Sequence, residues 1–332
     1  MEKAFLRVTD FIPADGSRDV ADELQAIIDE NPNRTLYFPD GVYLLGKPLL
    51  TPAAPKKSVS LSLSCYAILR ATADWASDEA MVRLGAKDTA NDIVTEGSNY
   101  FFEGGIIDGS GRANGISVDG GRETVIRDVS IKHTRVGVHI KRGINGGSSD
   151  ADISGVNIVG TGGTVSIGGL VEGWDNTFTK MRIANVFIGV DIYSAGNQLR
   201  AIHPLYTSDY TDYENSCGFR FSQSNNWFLN CYSDQFANGF RATESACCVL
   251  DSCFAWWYSP RQGKHVAFRA DGQFCSVVKD MTMGGQHGTE TEVHVLLSGK
   301  EGGHGVIDRV IADPATVTGK DHEPYMQGEF IY

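Results

Sequence analysis

The chain has 332 residues, of which 42% are hydrophobic and 38 are glycine, and its formal net charge is −12. This acidity argues against a nucleic-acid partner, because a surface that binds nucleic acid needs a basic face. No apolar run approaches the length of a membrane span, so we expect no membrane contact.

The chain opens with Met1–Arg7, which lacks the apolar core of a secretion signal. A cytoplasmic location is therefore expected, or a periplasmic or secreted one if a signal peptide was removed. Neither composition nor spacing calls for a cofactor, and none is expected.

A helix is predicted after Asp19. The apolar residues Val20, Leu24, Ile27 and Ile28 fall on one helical face, and Asp19 can cap the helix amino terminus. Strands are predicted on either side of the turn signal Pro39-Asp40-Gly41, over Thr35–Phe38 and Val42–Leu45. We predict that residues 1–50 form a cap whose amphipathic helix closes one end of the fold.

From about residue 100 the sequence repeats itself. Each copy has a glycine or alanine followed by two pairs of residues that alternate between apolar or small and mostly polar. The copies begin at Gly115, Gly137, Gly168, Gly189, Gly218, Gly239 and Ala267. Alternation with period two predicts a strand with one buried face. Repeats of roughly 20 to 32 residues leave no room for a helix between strands, so they predict an all-β solenoid.

The predicted fold is a single-stranded parallel β-helix. Its coils are expected over residues 51–311 and a carboxyl-terminal tail over 312–332, all within one structural domain. Asn176, Asn197 and Asn226 fall at one position of three successive copies, where their amides can stack as a ladder or simply suit a left-handed turn.

The cysteines predict neither a disulfide framework nor a metal site. Their number is seven, and most lie within the repeat, where they read as small buried thiols. Cys247 and Cys248 are adjacent, and no CxxC or HxxxH spacing accompanies them.

Two parts of the sequence carry a family resemblance. The opening segments Leu24–Asp29 and Leu36–Leu44 look like the start of pectate-lyase-superfamily proteins, and Gly104–Gly111 resembles a Gly-Gly-x-Ile-Asp-Gly-x-Gly segment of polygalacturonase-like proteins. The resemblance implies a right-handed parallel β-helix that acts on a polysaccharide as a hydrolase, lyase or epimerase, or a phage tailspike.

The catalytic signatures of polygalacturonases are not reproduced. Gly302-Gly303-His304-Gly305 resembles their Gly-His-Gly element but lies outside the expected order, so we interpret it as a coincidence. A calcium site of the pectate lyase type is possible but unsupported, because no cluster of carboxylates repeats at an outward position. No catalytic residue can therefore be carried over from the family.

Long connections alternate with short ones before the repeat glycine, which predicts a walled groove on one flank. The residues of the middle long connection and of the two following coils suit a sugar, because carboxylates supply acid and base while aromatic rings stack on sugar rings. The predicted catalytic residues are Asp234, Asp212, Glu214 and His203, and the predicted substrate-binding rings are Tyr206, Tyr232, Trp256, Trp257 and Tyr258. This set favours a glycoside hydrolase with paired carboxylates.

Arg220, Arg241 and Arg269 occupy one outward position on three consecutive copies. They form either a stripe that binds acidic groups of a glycan or a set of structural ion pairs. With a histidine or tyrosine as base, they would suit a polysaccharide lyase; Lys132, His133, His139 and Lys141 form an alternative set on the earlier coils. A non-catalytic glycan-binding or tailspike-like protein stays open, as does a homo-oligomer, a trimer if any.

Overall fold

The structure is a computed structural model, and it describes two compact units. The N-terminal unit comprises residues 1–161 and 169–176, and the C-terminal unit comprises residues 162–168 and 177–332. The described residues are 5–51, 58–85, 100–142, 148–207, 211–257, 263–285, 291–296, 298–312, 321–328 and 330–331. No helix among them has the length and apolar character needed to cross a membrane.

The N-terminal unit contains the α-helix α1, Ala21–Glu30, and a series of parallel strands. In chain order the strands are β1 Leu6–Arg7, β2 Asp15–Asp19, β3 Thr35–Phe38, β4 Gly41–Leu45, β5 Leu49–Leu50, β6 Ser60–Ala71, β7 Ala80–Gly85, β8 Phe101–Asp108, β9 Asn114–Gly120, β10 Val125–Arg127, β11 Ser130–Thr134, β12 Val136–Ile140, β13 Asp152–Ser154 and β14 Asn157–Gly160. A 3-10 helix covers Val8–Asp10. One sheet runs β5-β7-β9-β12.

The predicted helix and both predicted strands after it are confirmed. Val20, Leu24, Ile27 and Ile28 are buried, and Oδ1 of Asp19 accepts a hydrogen bond from the Ala21 amide at 2.9 Å. The helix also covers a sheet edge. The side chain of Gln25 donates to the carbonyl and accepts from the amide of Leu50 on β5, at 2.8 and 2.9 Å. These bonds satisfy backbone groups that a bare edge strand would leave open.

In the C-terminal unit each coil supplies three short parallel strands. The strands are β15 Ile167–Val171, whose residues divide between the two units, then β16 Thr177–Thr179, β17 Arg182–Ala184, β18 Ile188–Ile192, β19 Gln198–Arg200, β20 His203–Leu205, β21 Cys217–Phe221, β22 Trp227–Leu229, β23 Tyr232–Asp234, β24 Asn238–Ala242, β25 Val249–Asp251, β26 Phe254–Trp257, β27 Gly263–Ala270, β28 Val277–Lys279, β29 Met281–Gly285, β30 Thr291–Leu296, β31 Val306–Ile307, β32 Val310–Ala312 and β33 Phe330–Ile331. Short 3-10 helices cover Tyr213–Asn215 and Glu323–Tyr325.

Strands stack one coil apart in three parallel sheets. The sheets run β18-β21-β24-β27-β30, then β16-β19-β22-β25-β28-β31, then β17-β20-β23-β26-β29-β32-β33. This is the predicted right-handed parallel β-helix, with all-parallel pairing and no α-helix among the described residues that connect its strands. The strand β33 places part of the predicted tail beside β32.

One sharp corner recurs in five successive coils of the C-terminal unit, between the second and third strands. It consists of one residue with positive φ and one buried residue. At these corners the residues with positive φ are Lys180, Ala201, Asn230, Ser252 and Asp280. The buried residues after them are Met181, Ile202, Cys231, Cys253 and Met281. Two of the cysteines are therefore interior corner residues, as the sequence predicts.

The repeat glycines permit close packing inside the coil. A Cβ atom at Gly218 would lie 2.1 Å from Oγ of Ser233 and 2.8 Å from the carbonyl oxygen of Gly239 in the next coil. The alternating residues after the glycines form the core, where the rings of Phe219 and Phe240 stack at 4.8 Å between centroids.

Two of the three predicted ladder residues, Asn197 and Asn226, are hydrogen-bonded to each other in the C-terminal unit. Nδ2 of Asn197 donates to Oδ1 of Asn226 at 3.0 Å, and both residues are fully buried. Because Trp227 pairs with Val249, the residue that continues the column after Asn226 is Cys248 and not Cys247. Cys247 is exposed, since its copy of the repeat is one residue longer before this turn.

Candidate functional site

The C-terminal unit presents a group of ring-bearing side chains on β20, β23 and β26. These strands pair in register, so that Tyr232 lies beside Phe254 and Asp234 lies beside both Leu205 and Trp256. Residues two apart on a strand share a face. Two adjacent rows result, one with His203, Tyr232 and Phe254 and the other with Leu205, Asp234 and Trp256.

Asp234 and His203 form the chemical centre of this face. The Asp234 side chain is 5% exposed, and its Oδ2 lies 3.4 Å from Nε2 of His203, a long hydrogen bond. Its other oxygen, Oδ1, is buried and has no hydrogen-bond partner in the part of the chain that the structure describes. A buried carboxylate oxygen without a partner is costly, so its retention suggests a ligand or a proton to bind.

The rings around this pair form a platform. His203 stacks on Tyr232 with centroids 4.3 Å apart and planes at 14°, which orients the imidazole. Phe254 lies 5.9 Å from Tyr232, centroid to centroid, and is 44% exposed. Trp256 is half-buried and lies over Gly284, where a Cβ atom would be 3.2 Å from the indole. We refer to Tyr232, Phe254 and Trp256 as the aromatic platform.

Phe254 is absent from the predicted set of sugar-binding rings, and the strand pattern would have found it. In β26 the outward positions are Phe254 and Trp256, while Ala255 and Trp257 point inward. Choosing Trp256 and Trp257 as a pair overlooked this alternation.

Two predicted sugar-binding rings are corrected, because they lie in the interior. Trp257 is 1% exposed, and its Nε1 donates to the Phe236 carbonyl at 2.7 Å. Tyr206 is also 1% exposed and packs edge-on against Tyr213 and Phe236. Neither ring offers a face to a sugar. The predicted Tyr258 lies outside the described residues.

The two further predicted acids lie on a segment anchored close to Asp234. Between them stands Tyr213, which is buried and donates from its hydroxyl to the carbonyl of Gln235 at 2.8 Å. Nδ2 of Asn238 donates to the Glu214 carbonyl at 2.8 Å. Asp212 and Glu214 are both exposed. The segment that carries them is thus tied to the residues that directly follow Asp234 in the chain.

The predicted arginine column exists, but its charges are paired. Arg220, Arg241 and Arg269 are direct neighbours in three strands. Arg220 binds Asp191 through Nε and Nη2 at 2.9 and 2.5 Å, and this bond raises the pKa of the guanidinium. Arg241 and Arg269 share Asp271, with Nε to oxygen distances of 2.8 and 2.7 Å. The free cationic stripe is therefore corrected to a set of structural ion pairs, in which Asp191 lies on the neighbouring strand β18 and Asp271 directly follows β27.

Three members of the alternative basic set in the N-terminal unit, His133, His139 and Lys141, also have acidic partners. Nε2 of His139 lies 2.7 Å from Oε2 of Glu172, while burial lowers the pKa of His139 against the effect of this acid. Lys141 pairs with Glu79 and lies 3.5 Å from Oδ1 of Asp119. Nδ1 of His133 lies 3.0 Å from Oδ1 of Asp108. These side chains are therefore held by local acidic partners.

Solved structures of the same fold match this chain over nearly its whole length. ORF18 of Geobacillus virus E2 matches with a TM-score of 0.64 and 13% identity, over 96% of this chain and 62% of that protein. The A-module of a mannuronan C-5 epimerase of Azotobacter vinelandii matches with a TM-score of 0.62 and 13% identity, over 98% of this chain and 100% of the module. A tailspike protein of E. coli bacteriophage HK620 matches with a TM-score of 0.59 and 11% identity, over 96% and 67%.

These likenesses confirm the predicted fold, a right-handed parallel β-helix. At 11 to 13% identity they establish the fold alone. The chain spans only about 62% of the length of the virus E2 protein. No protein-family model matches the sequence, and neither does any curated protein.

Proposed function

We propose that this protein is a carbohydrate-active enzyme that hydrolyses glycosidic bonds on the aromatic platform. The observation that carries the proposal is Asp234, a buried carboxylate with one unpartnered oxygen in the midst of Tyr232, Trp256 and His203. Aromatic faces bind sugar rings by apolar contact, and a carboxyl group supplies the proton that the leaving oxygen needs. Among the similar folds, the mannuronan epimerase supports a glycan substrate.

In the proposed mechanism Asp234 acts as the acid. It gives its proton to the glycosidic oxygen as the bond to the anomeric carbon breaks. Water adds to that carbon and loses a proton to a second carboxylate, Asp212 or Glu214, whose segment is anchored to Gln235 and Asn238. Carboxyl groups about 6.5–9.5 Å apart would invert the anomeric configuration, and about 5 Å would retain it through a covalent intermediate. His203 positions the Asp234 carboxyl group through its Nε2 contact.

The net charge of −12 favours a neutral glycan over a polyanionic one. One row of side chains nevertheless favours a second candidate, a lyase that acts on a uronate. Arg182 pairs in register with His203 on the neighbouring strand, is exposed, and has no ion-pair partner within the described chain. Arg182 would neutralise the uronate carboxylate, His203 would remove the proton next to it, and Tyr232 would protonate the leaving oxygen.

The test is a glycan panel assayed for new reducing ends and for ultraviolet absorbance by an unsaturated product. Hydrolysis gives the first signal alone, whereas elimination gives both. For the hydrolase we expect Asp234→Asn to lose at least about 100-fold in kcat, the usual scale of one acid–base group. Asp212→Asn or Glu214→Gln should lose a similar factor, and the exposed turn residue Glu244 gives the control Glu244→Gln, which should keep full activity.

Several outcomes would refute the hydrolase. Full activity of Asp234→Asn removes the proposed acid, and full activity of both Asp212→Asn and Glu214→Gln removes the proposed second carboxylate. The lyase would be established if the unchanged protein gives an unsaturated product and both Arg182→Ala and His203→Gln lose this activity. Binding without any product, abolished by Trp256→Ala, would show a glycan-binding protein.

A further inference from the structure

Outside the proposed glycan site, the C-terminal unit brings together three side chains that ligate soft metals. One donor atom each from Cys247, Cys275 and His304 lies within 4.8 Å of the other two. Sγ of Cys247 is 4.0 Å from Nε2 of His304. Cys247 and His304 are exposed, and Cys275 is buried.

The strand register explains why these three residues meet. Val249, Val277 and Val306 pair with one another on three successive strands, β25, β28 and β31. Each candidate ligand stands two residues before its valine, so all three occupy the same position of successive coils. Coils stack about 4.8 Å apart. The two short cysteine side chains are therefore neighbours, and the longer imidazole reaches back across one coil.

Glycines on both sides of His304 allow the close approach. A Cβ atom at Gly303 would lie 2.5 Å from the carbonyl oxygen of Phe274, and one at Gly305 would lie 2.5 Å from the Phe274 ring. The Gly305 amide donates to that same carbonyl at 2.8 Å. Larger residues would push this segment away from the backbone directly before Cys275. The Gly-Gly-His-Gly sequence thus positions an imidazole beside two thiols.

We propose that Cys247, Cys275 and His304 bind one zinc ion that links three successive coils of the β-helix. Two thiolates and one imidazole form a donor set that binds zinc in preference to hard cations. Zinc–sulfur and zinc–nitrogen bonds of about 2.3 and 2.0–2.1 Å in a tetrahedron require donor atoms about 3.6–3.8 Å apart. The observed 4.0 Å between Cys247 and His304 is a few tenths of an ångström longer, which the exposed side chains can accommodate by rotation.

The exposure of Cys247 and His304 leaves the fourth coordination position open to solvent, where water completes the tetrahedron. This proposal differs from the sequence prediction of no metal site, because that prediction rested on ligands close together in the chain. Zinc bound across three coils stabilises the folded state but not the unfolded chain, in which the ligands are separated.

The experiment measures zinc binding to the full chain, stripped with a chelator and kept reduced. Competition with a chromophoric chelator should give one equivalent of zinc per chain. Cobalt in its place should give the visible absorption of a tetrahedral site and a thiolate-to-cobalt charge-transfer band. Cys247→Ser and His304→Gln should each weaken zinc at least about tenfold, the smallest effect usual for a residue that supports a zinc site. Both change exposed residues, so the fold should persist.

The matched control is Cys65→Ser, which removes an exposed cysteine of the other unit and should bind zinc as the unchanged protein does. Zinc should raise the thermal midpoint of the unchanged protein and of Cys65→Ser, but not that of His304→Gln. The proposal is overturned if less than one equivalent binds, or if Cys247→Ser and His304→Gln bind as tightly as Cys65→Ser. A disulfide between Cys247 and Cys275 in reducing buffer, seen by mass spectrometry, would overturn it too.

Discussion

The Arg220–Asp191 pair permits a quantitative prediction. The side chain of Asp191 is 2% exposed and that of Arg220 is 26% exposed, and two hydrogen bonds join them. Asp191→Asn keeps the shape of the side chain but removes its charge, so the guanidinium remains half-buried without a counterion. Breaking a fully buried pair costs about 3–5 kcal/mol, and the water that reaches Arg220 reduces this to about 2–3 kcal/mol.

The measurement is the free energy of unfolding from urea titrations. Values are compared between variants whose free energy depends on urea concentration with the same slope. The control is Asp280→Asn, which breaks the pair with Arg309, whose side chain is 51% exposed. Asp280 has φ of 52°, which asparagine tolerates, so the control should lose less than about 1 kcal/mol. The double variant Asp191→Asn/Arg220→Met should recover part of the loss. Equal losses for Asp191→Asn and Asp280→Asn would refute the reasoning.

Two further predictions concern packing and pH. Gly218→Ala should destabilise the protein by about 1–3 kcal/mol, because the added Cβ meets Ser233 at 2.1 Å. Gly299→Ala, whose Cβ comes no closer than 3.2 Å to its neighbours, is the control, and equal thermal midpoints would contradict the argument. Burial raises the pKa of Asp108, but hydrogen bonds from His133, the Ser110 amide and Arg70 outweigh it, so this pKa lies below its usual value. Asp108 therefore contributes stability above about pH 4 that is lost as pH falls through the folded pKa. The difference in urea midpoint between the unchanged protein and Asp108→Asn should shrink from pH 7 to pH 3, and a constant difference would exclude this role.

Much of the candidate site could be predicted because the alternation of apolar and polar residues indicates where each residue lies in a coil. Asp234, His203 and Tyr232 were selected from one loop and the next strand end, and the structure brings His203 and Asp234 to 3.4 Å. The errors arose where the alternation was not followed. Trp257 stands one residue from Trp256 and so points inward, while Phe254 stands two residues away and points outward.

The partners of the charged residues could not be predicted in the same way. The sequence places Arg220, Arg241 and Arg269 in one column, but it does not say which acids lie beside that column. Asp191 precedes Arg220 by one coil, and Asp271 stands two residues after Arg269, directly after the end of β27. A column of free arginines and a column of paired arginines have the same repeat pattern in the sequence. They differ only in whether acidic side chains lie beside the column.

The sequence by itself determined the coil, because a period of two with one apolar face can be buried only by stacking copy on copy. It also determined the helix over the first sheet edge, through Asp19 and the apolar face of Ala21–Glu30. Only the tertiary structure decided which residues become neighbours between coils. A turn longer by one residue moves Cys247 out of the asparagine column and into line with Cys275 and His304. Contacts across coils depend on the register of paired strands, and that register follows from the packing of the whole coil.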